Sequence, residues 1–299
     1  MIKVPAKQQG IALILVLLLV AILSVVVTSV QYRNQIFMHQ ASQTRAKIDA
    51  QAELLSLRSE LHFLLTTTPI WLFEPNEQLR QQYALPSGFN LYGRPFKWGD
   101  TEVTLTDASG LVALIPFNEH NWRRMLTYLQ VEPVEPIIAS LKDWYDSDDF
   151  IHLYGAEKGD YAEPGLPRNA LPQTIEELAL VKNITPEIFQ KIRPWLTYIG
   201  QDEVNAEYSP DAFLEAFVGP HRSEIMVNAR NNPGTQAETF RVFTEDATYN
   251  PTNRLQVVLT TKKEGAAYTE QFTFVKSRGN PKTIYIAEWQ GAHTGIANP

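Results

Sequence analysis

A long apolar run dominates the N-terminal part of the chain. Residues 11–30 contain three polar side chains and no charged one. At about 1.5 Å of rise per residue, a helix of this length spans roughly 30 Å, the thickness of the hydrocarbon layer of a bilayer. A secretory signal peptide is the alternative, but the run is longer than the apolar core of such signals, and no A-x-A cleavage site follows it. The pattern therefore predicts a transmembrane helix over 11–30.

The helical pattern continues beyond the apolar run and becomes amphipathic. Ile48, Ala52 and Leu55 share one face by their spacing, and a second stripe of leucines runs beside them. No glycine or proline interrupts residues 11–68, and Pro69 disfavours helix in the residue before it. We therefore expect one helix over 11–66, apolar on all sides in its first half and able to pack on a globular head in its second half.

Strand-like segments occur in two groups, one within 67–116 and one within 220–299. The six predicted strands are Arg94–Trp98, Glu102–Thr106, Leu111–Ile115, Leu255–Thr261, Glu270–Lys276 and Thr283–Trp289. We expect them to form one antiparallel sheet on which the long helix lies. The last nine residues, 291–299, are predicted to form a loose tail.

Residues 117–219, between the two groups of strands, show helical spacing. Thr174 begins a capping-box pattern with Glu177, and Thr185 precedes a first-turn proline. The fold class predicted is thus α+β, with a long N-terminal helix packed on an antiparallel β-sheet and a large inserted helical domain. Its segment 174–199 is similar to a helix-hairpin-helix, but its turn lacks glycine. This favours packing or protein contact over nucleic-acid binding.

Composition and charge place the chain relative to the membrane. There is no cysteine, so neither disulfides nor thiolate metal sites can form. Lys3 and Lys7 precede the apolar run, and the positive-inside rule keeps that end cytoplasmic. The chain from Asp49 onward holds 33 acidic and 21 basic residues. We expect a single-pass membrane protein whose acidic head lies across the membrane from the cytoplasmic end, with no nucleic acid as partner.

The first ten residues, MIKVPAKQQG, form a short basic leader that ends in glycine directly before the apolar helix. A leader of this kind, followed by an uninterrupted apolar helix, resembles that of the type IV prepilins. The resemblance implies that residues 1–10 are removed by a prepilin peptidase between Gly10 and Ile11, and that the new N-terminus is methylated. Most pilins carry glutamate at the fifth mature position, where this chain has Leu15.

The apolar Leu15 and two sequence stretches resemble one family within this group. The stretches are LKDWYDSDD at 141–149 and RNALPQTIEELALVKNITPEIFQKIRPWLTYI at 168–199. They are similar to the K minor pseudopilins of type II secretion, which carry a large helical domain in a pilin-like fold. The resemblance implies a subunit at the tip of the pseudopilus that initiates its assembly and is not an enzyme. The partners implied are the I and J minor pseudopilins, the prepilin peptidase and the inner-membrane secretion platform.

A cluster of carboxylates begins at the end of the predicted helix that contains Trp144. Its members are Asp143, Asp146, Asp148 and Asp149, followed by Glu157. Oxygen ligands of this kind select calcium or magnesium, although a solvated acidic loop has the same composition. An EF-hand is excluded because Ile151 occupies the position that requires glycine. K pseudopilins bind calcium in the helical domain, so the resemblance implies that these five residues hold calcium.

Two other functions remain open at this point. A minor pilin of a type IV pilus or of a DNA-uptake machine would carry the same leader. A membrane-anchored periplasmic metalloenzyme would need His120 and His152 beside the acidic cluster, but no H-E-x-x-H, G-x-S-x-G or phosphate-loop motif supports catalysis. The segment 231–251 receives no assignment.

Overall fold

A single helix, α1 (Gln9–Thr67), forms the N-terminal part of the molecule. The structure is a computed structural model that describes residues 9–71, 77–232, 251–277 and 283–296. At 59 residues, α1 is about 88 Å long. Residues 12–41 are all exposed, and among the described helices this one alone is long and apolar enough to cross a membrane. The expectation of one uninterrupted helix is confirmed.

The head begins where α1 gains a buried face. Further helices in the described residues are α2 (Glu77–Gln82), α3 (Glu119–Tyr128), α4 (Val134–Tyr145), α5 (Pro186–Ile192), α6 (Asp211–Val218) and α7 (Pro220–Asn231). The strands are β1 (Phe96–Trp98), β2 (Thr101–Asp107), β3 (Val112–Ile115), β4 (Leu196–Ile199), β5 (Arg254–Lys263), β6 (Ala266–Lys276) and β7 (Ile284–Ile296).

The main sheet is five-stranded and antiparallel, in the order β1-β2-β5-β6-β7. The leucine stripe of α1 packs on one of its faces, because alternate strand residues turn apolar side chains toward the helix. The core formed in this way includes Leu54, Leu57, Leu61, Leu65, Val103, Leu105, Val257, Phe272 and Phe274. The predicted fold class, a long helix packed on an antiparallel sheet with further helices inserted, is confirmed.

Strand β3 does not belong to this sheet, so the prediction that all six strands share one sheet is wrong. It runs parallel to β4 in a separate two-stranded sheet. The chain turns away from the main sheet through a 3-10 turn at Ala108–Gly110. A side chain on Gly110 would overlap the backbone of Tyr208, so the turn lies against another segment. Leu114 is then buried in a second core.

The C-terminus also departs from expectation. Residues 291–296 continue β7 and pair with β6 as far as Ala266, so the prediction of a loose tail is wrong for them. An antiparallel partner strand satisfies the backbone N–H and C=O groups of this glycine-containing segment, which side-chain pattern alone did not reveal. Residues 297–299 lie outside the described residues, as do leader residues 1–8.

The second core unites the inserted helices with the small parallel sheet. It includes Trp122, Met125, Leu141, Trp144, Leu178, Ile192 and Trp195. Thr185 caps α5 as predicted, since its side chain accepts a hydrogen bond from the N–H of Ile188. The boundaries 67–116, 117–219 and 220–299 remain a prediction.

The capping box predicted at Thr174 does not form. The segment Ile175–Leu180 is a 3-10 helix without a side-chain cap bond from Thr174. The carboxylate of Glu177 instead accepts hydrogen bonds from Arg168 and from the indole N–H of Trp144, both at 2.9 Å. Because these partners hold Glu177, it cannot complete the capping box.

A buried arginine joins the pilin-like head to the inserted helices. Arg230, near the end of α7, lies over the ring of Tyr92 at 4.0 Å and donates to Asp211 at 2.7 Å. Asp211 also accepts from Arg94 at 2.6 Å. The sequence predicted only strands after residue 219, so α7 is a helix that the prediction missed. Most of the unassigned segment 231–251 lies outside the described residues.

Glu207 lies at the same junction and should make stability depend on pH. Burial raises its pKa from 4.5 to about 7, against the opposing charge of Arg230. Between these values the unfolded chain loses a proton that the folded chain keeps, so the free energy of unfolding falls as the pH rises. Relative to wild type, Glu207→Gln should be unchanged near about pH 4 and more stable by up to about 3 kcal/mol above about pH 7.

Urea unfolding of wild type and variant across this pH range measures the difference. The exposed Glu203→Gln is the matched control and should follow wild type throughout. If the difference in stability between wild type and Glu207→Gln is the same at low and high pH, Glu207 does not have the raised pKa assigned to it.

Candidate metal centre

Asp143 anchors the loop that follows α4. It lies in the last turn of that helix and is fully buried. Its Oδ1 accepts a hydrogen bond from the backbone N–H of His152 at 3.0 Å and also contacts Nδ1 of the same residue. Its Oδ2 accepts from the backbone N–H of Ala156 at 2.6 Å. The chain after α4 therefore folds back over the end of the helix.

Gly155 is required by this arrangement. A Cβ at that position would overlap the carboxylate of Asp143, so no other residue fits without moving the helix end or the loop. Because Gly155 has no side chain, the backbone of residues 152–156 can lie against Asp143. The chain then continues directly to Glu157.

Buried oxygen atoms without hydrogen-bond partners mark the centre of the site. Glu157 is 7% exposed, and neither of its carboxylate oxygens makes a hydrogen bond of good geometry, although the side chain of Asn169 is near enough to lower its pKa. One carboxylate oxygen of Asp146 is buried and unpartnered in the same way, as is the side-chain oxygen of Asn169. Because burying an oxygen acceptor without a partner is costly, this combination suits the binding of a cation.

The electrostatics agree with that interpretation. Burial raises the pKa of Glu157, and the negative charges of Asp143, Asp146 and Asp149 raise it further. Burial also raises the pKa of Asp146, together with repulsion from Asp148 and Asp143. A bound cation would relieve this repulsion.

The five predicted ligands occupy different positions. Asp143, Asp146 and His152 offer possible ligand atoms within 4.8 Å of one another, and Glu157 interacts electrostatically with the first two. Asp148 is exposed, and its carboxylate accepts from the N–H of Phe150 at 2.9 Å. The structure therefore brings Asp143, Asp146 and Glu157 together and uses the side chain of Asp148 in a turn.

Asn169 is the residue that sequence reasoning missed. Its amide donates to the carbonyl of Asp148 at 2.6 Å and to the carboxylate of Asp149 at 3.1 Å. It holds Asp149 at the cluster and leaves its own buried oxygen free to act as a ligand. Its positive φ of 50° is a conformation that asparagine tolerates better than most residues. The positive φ and the hydrogen bonds of Asn169 are properties of the folded chain, so the sequence alone could not identify this residue.

The donor set fits a hard cation. Asp146, Asp149, Glu157 and Asn169 supply carboxylate and amide oxygens, which calcium prefers. His120 is exposed on α3 and is absent from the described cluster, so the metalloenzyme hypothesis loses one of the residues it required. The processing residues lie elsewhere, since Gly10 and Ile11 are in the first turns of α1.

Comparisons with known proteins agree with the architecture. A family model described as type II secretion system (T2SS), protein K, matches residues 104–201. Type II secretion system protein K of Klebsiella pneumoniae is 28% identical over 217 residues, which cover 66% of this chain and 64% of that protein. The protein of the same name in Pseudomonas aeruginosa is 27% identical over 261 residues, 77% of this chain and 75% of that protein.

A solved structure is similar over most of the chain. It is the GspK-GspI-GspJ complex from the type 2 secretion system of enterotoxigenic Escherichia coli, and one of its chains matches with a TM-score of 0.53. The match has 17% sequence identity and covers 87% of this chain and 99% of that chain. At this identity the likeness establishes the fold. With the long helix, the sheet and the inserted helices in place, the sequence and structure matches together confirm the resemblance of this chain to the protein K (GspK) family of type II secretion systems.

Proposed function

We propose that this chain is a minor pseudopilin that occupies the tip of a type II secretion pseudopilus and initiates its assembly. Its α1 holds the subunit in the inner membrane, with the head in the periplasm, until other subunits associate with it. The prepilin peptidase removes residues 1–10, and the new N-terminus at Ile11 is methylated. The function is assembly for protein export across the outer membrane, without catalysis.

The outward face of α1 is the observation that carries this proposal. Opposite the leucines that pack on the sheet, the head portion of the helix exposes Ile48, Leu55 and Phe63, each by more than half of its surface. Apolar stripes of this kind on an otherwise soluble head indicate packing against another helix. The stripe continues the exposed apolar surface of the first half of α1. A helix that packs in a bundle of subunits requires such a continuous apolar surface.

Two features favour the tip over the shaft. The inserted helices and the small sheet add a second core to the pilin-like head, which makes repeated stacking along a fibre difficult. Leu15 replaces the carboxylate that pairs with a neighbouring N-terminus in most pilins, and burying an unneeded charge in a bilayer costs about 2.5–3.5 kcal/mol. A subunit with no subunit above it has no use for that carboxylate.

The proposed partners are the I and J minor pseudopilins and the inner-membrane secretion platform. The solved relative is part of a complex with GspI and GspJ, which supports the choice. Copurification of the full chain in detergent with I and J pseudopilins tests it. Leu55→Glu and Phe63→Glu should abolish copurification, because each places a charge in the apolar stripe.

The matched control is Leu180→Glu, which changes an exposed leucine of the inserted domain. It should copurify as wild type does. Equal copurification of all variants would mean that the outward face of α1 is not an assembly surface.

We also propose that Asp146, Asp149, Glu157 and Asn169 bind calcium, with Asp143 positioning the loop beside them. An ion that binds only the folded state stabilises it by RT ln(1 + [L]/Kd). With a Kd of about 0.1–1 mM, millimolar calcium should add about 0.4–1.4 kcal/mol. Thermal unfolding of a head beginning at residue 33, with calcium or with chelator, measures this stabilisation.

The variant Asp146→Asn/Glu157→Gln should lose the calcium response and gain stability in chelator, because it removes two repelling charges. Asp100→Asn is the control, since that residue is exposed in the turn between β1 and β2. It should leave the response to calcium intact. Equal midpoints with and without calcium in the wild type would identify the cluster as a solvated acidic loop.

A further inference from the structure

The loop that follows the acidic cluster exposes most of its apolar surface. Phe150 is 83% exposed, Ile151 57%, Leu153 80% and Tyr154 66%. We call residues 150–154 the apolar loop. Between them, the side chain of His152 contacts Asp143 and is still 44% exposed. Four large apolar side chains exposed together are unusual on a soluble head and mark an interaction site.

This conformation is held by the surrounding structure. Buried Asp143 accepts the backbone N–H groups of His152 and Ala156, and Asp148 accepts that of Phe150. Gly155 closes the loop where no side chain fits. With its backbone fixed at both ends, the loop cannot turn its apolar residues inward. The exposure is therefore a stable feature of the fold.

The shape of the apolar loop favours a bilayer surface over a protein pocket. The exposed side chains come from both sides of His152 along five consecutive residues. A protein partner would have to enclose the loop from several directions. The interface of a bilayer accepts apolar groups in any orientation and gives aromatic residues a suitable boundary.

Charge determines when this contact can form. Asp146, Asp149 and Glu157 lie directly beside the apolar loop, and their negative charges repel lipid phosphates. The buried oxygens of Glu157, which make no geometrically good hydrogen bond, support the cation site proposed for these carboxylates. A calcium ion there offsets most of the negative charge of these three carboxylates and can take a lipid phosphate oxygen as a further ligand. We propose that the apolar loop inserts into a lipid bilayer surface when calcium occupies the adjacent carboxylates, an inference that rests on the calcium centre proposed above.

Flotation of the full chain with vesicles tests this proposal. The chain is reconstituted in nanodiscs through α1, so its own membrane is separate from the vesicles of phosphatidylcholine and phosphatidylglycerol. It should float with the vesicles in millimolar calcium and remain unbound in chelator. Phe150→Ser/Leu153→Ser should reduce the bound fraction about tenfold or more, because two inserted side chains are lost. Leu171→Ser/Leu180→Ser, at exposed leucines elsewhere, should bind as wild type does.

Three results would overturn the proposal. These are no binding by wild type in calcium, equal binding in chelator, or equal binding by the Phe150→Ser/Leu153→Ser variant. Thermal midpoints of the same preparations separate the two proposals. A calcium-dependent midpoint without vesicle binding would leave the calcium centre standing and reject membrane insertion. Loss of secretion in the variant without vesicle binding by wild type would assign the apolar loop to a protein contact instead.

Discussion

A chain carrying Gly10→Val is expected to retain its N-terminal Met1 and to support no secretion. The physical reason is the position of the glycine, which ends the basic leader directly before the apolar helix, on the side that the positive-inside rule predicts to be cytoplasmic. A branched side chain there would block access of the peptidase to the bond between Gly10 and Ile11. Without cleavage, the charged leader stays attached to α1. The helix then cannot take the same depth in the membrane as the helices of the other subunits and pack against them.

Mass spectrometry of the membrane-extracted protein measures this effect. Wild type should begin at Ile11, and Gly10→Val at Met1. Lys7→Arg is the control, because it keeps the charge of the leader and should be cleaved as wild type is. A wild-type chain that begins at Met1, or at the residue after Val30, would contradict the assignment of 1–10 as a prepilin leader.

Asp143→Ala should be the most destabilising single change at the candidate metal centre. It removes the acceptor of the backbone N–H groups of His152 and Ala156, and an unsatisfied buried donor costs about 1–3 kcal/mol. For the two donors together, the expected loss is therefore about 2–6 kcal/mol. Because these bonds exist without an ion, the loss should persist in chelator. Urea unfolding in chelator measures it.

Asp143→Asn and Asp148→Ala are the two comparison variants. The amide retains one acceptor oxygen, so Asp143→Asn should lose less stability than Asp143→Ala. Asp148 is exposed and accepts one backbone N–H, so Asp148→Ala should cost about 1 kcal/mol or less. If Asp143→Ala is no worse than Asp148→Ala, Asp143 does not anchor the loop.

The elements that the sequence predicted well are those with a strong local pattern. Leu54, Leu57 and Leu61 repeat at helical spacing and are buried as one stripe against the sheet. Strand β3 shows the limit of such reasoning. Its apolar residues identify a strand, but the choice of β4 as partner depends on a turn at Gly110 that must pack against a segment about a hundred residues later.

The grouping of acidic residues at the candidate metal centre was predicted in part, and the metal itself stays a prediction. Acidic residues close together in sequence indicated a cation site, and the structure brings Asp143, Asp146 and Glu157 together. Asn169 could not be found in this way, because it reaches the cluster through the fold and through a positive φ. Asp143 differs again, since its hydrogen bonds to the loop backbone assign it a positioning role that composition cannot reveal.

The position of the subunit in the fibre is the central claim, and labelling of sheared pseudopili tests it most directly. A gold label on an exposed residue of the inserted domain should mark one end of each fibre, with one label per fibre. The second core of the inserted domain would then lie beyond the last stacked head. Labels at regular intervals along the shaft, or fibres that form normally in cells lacking this chain, would contradict the account.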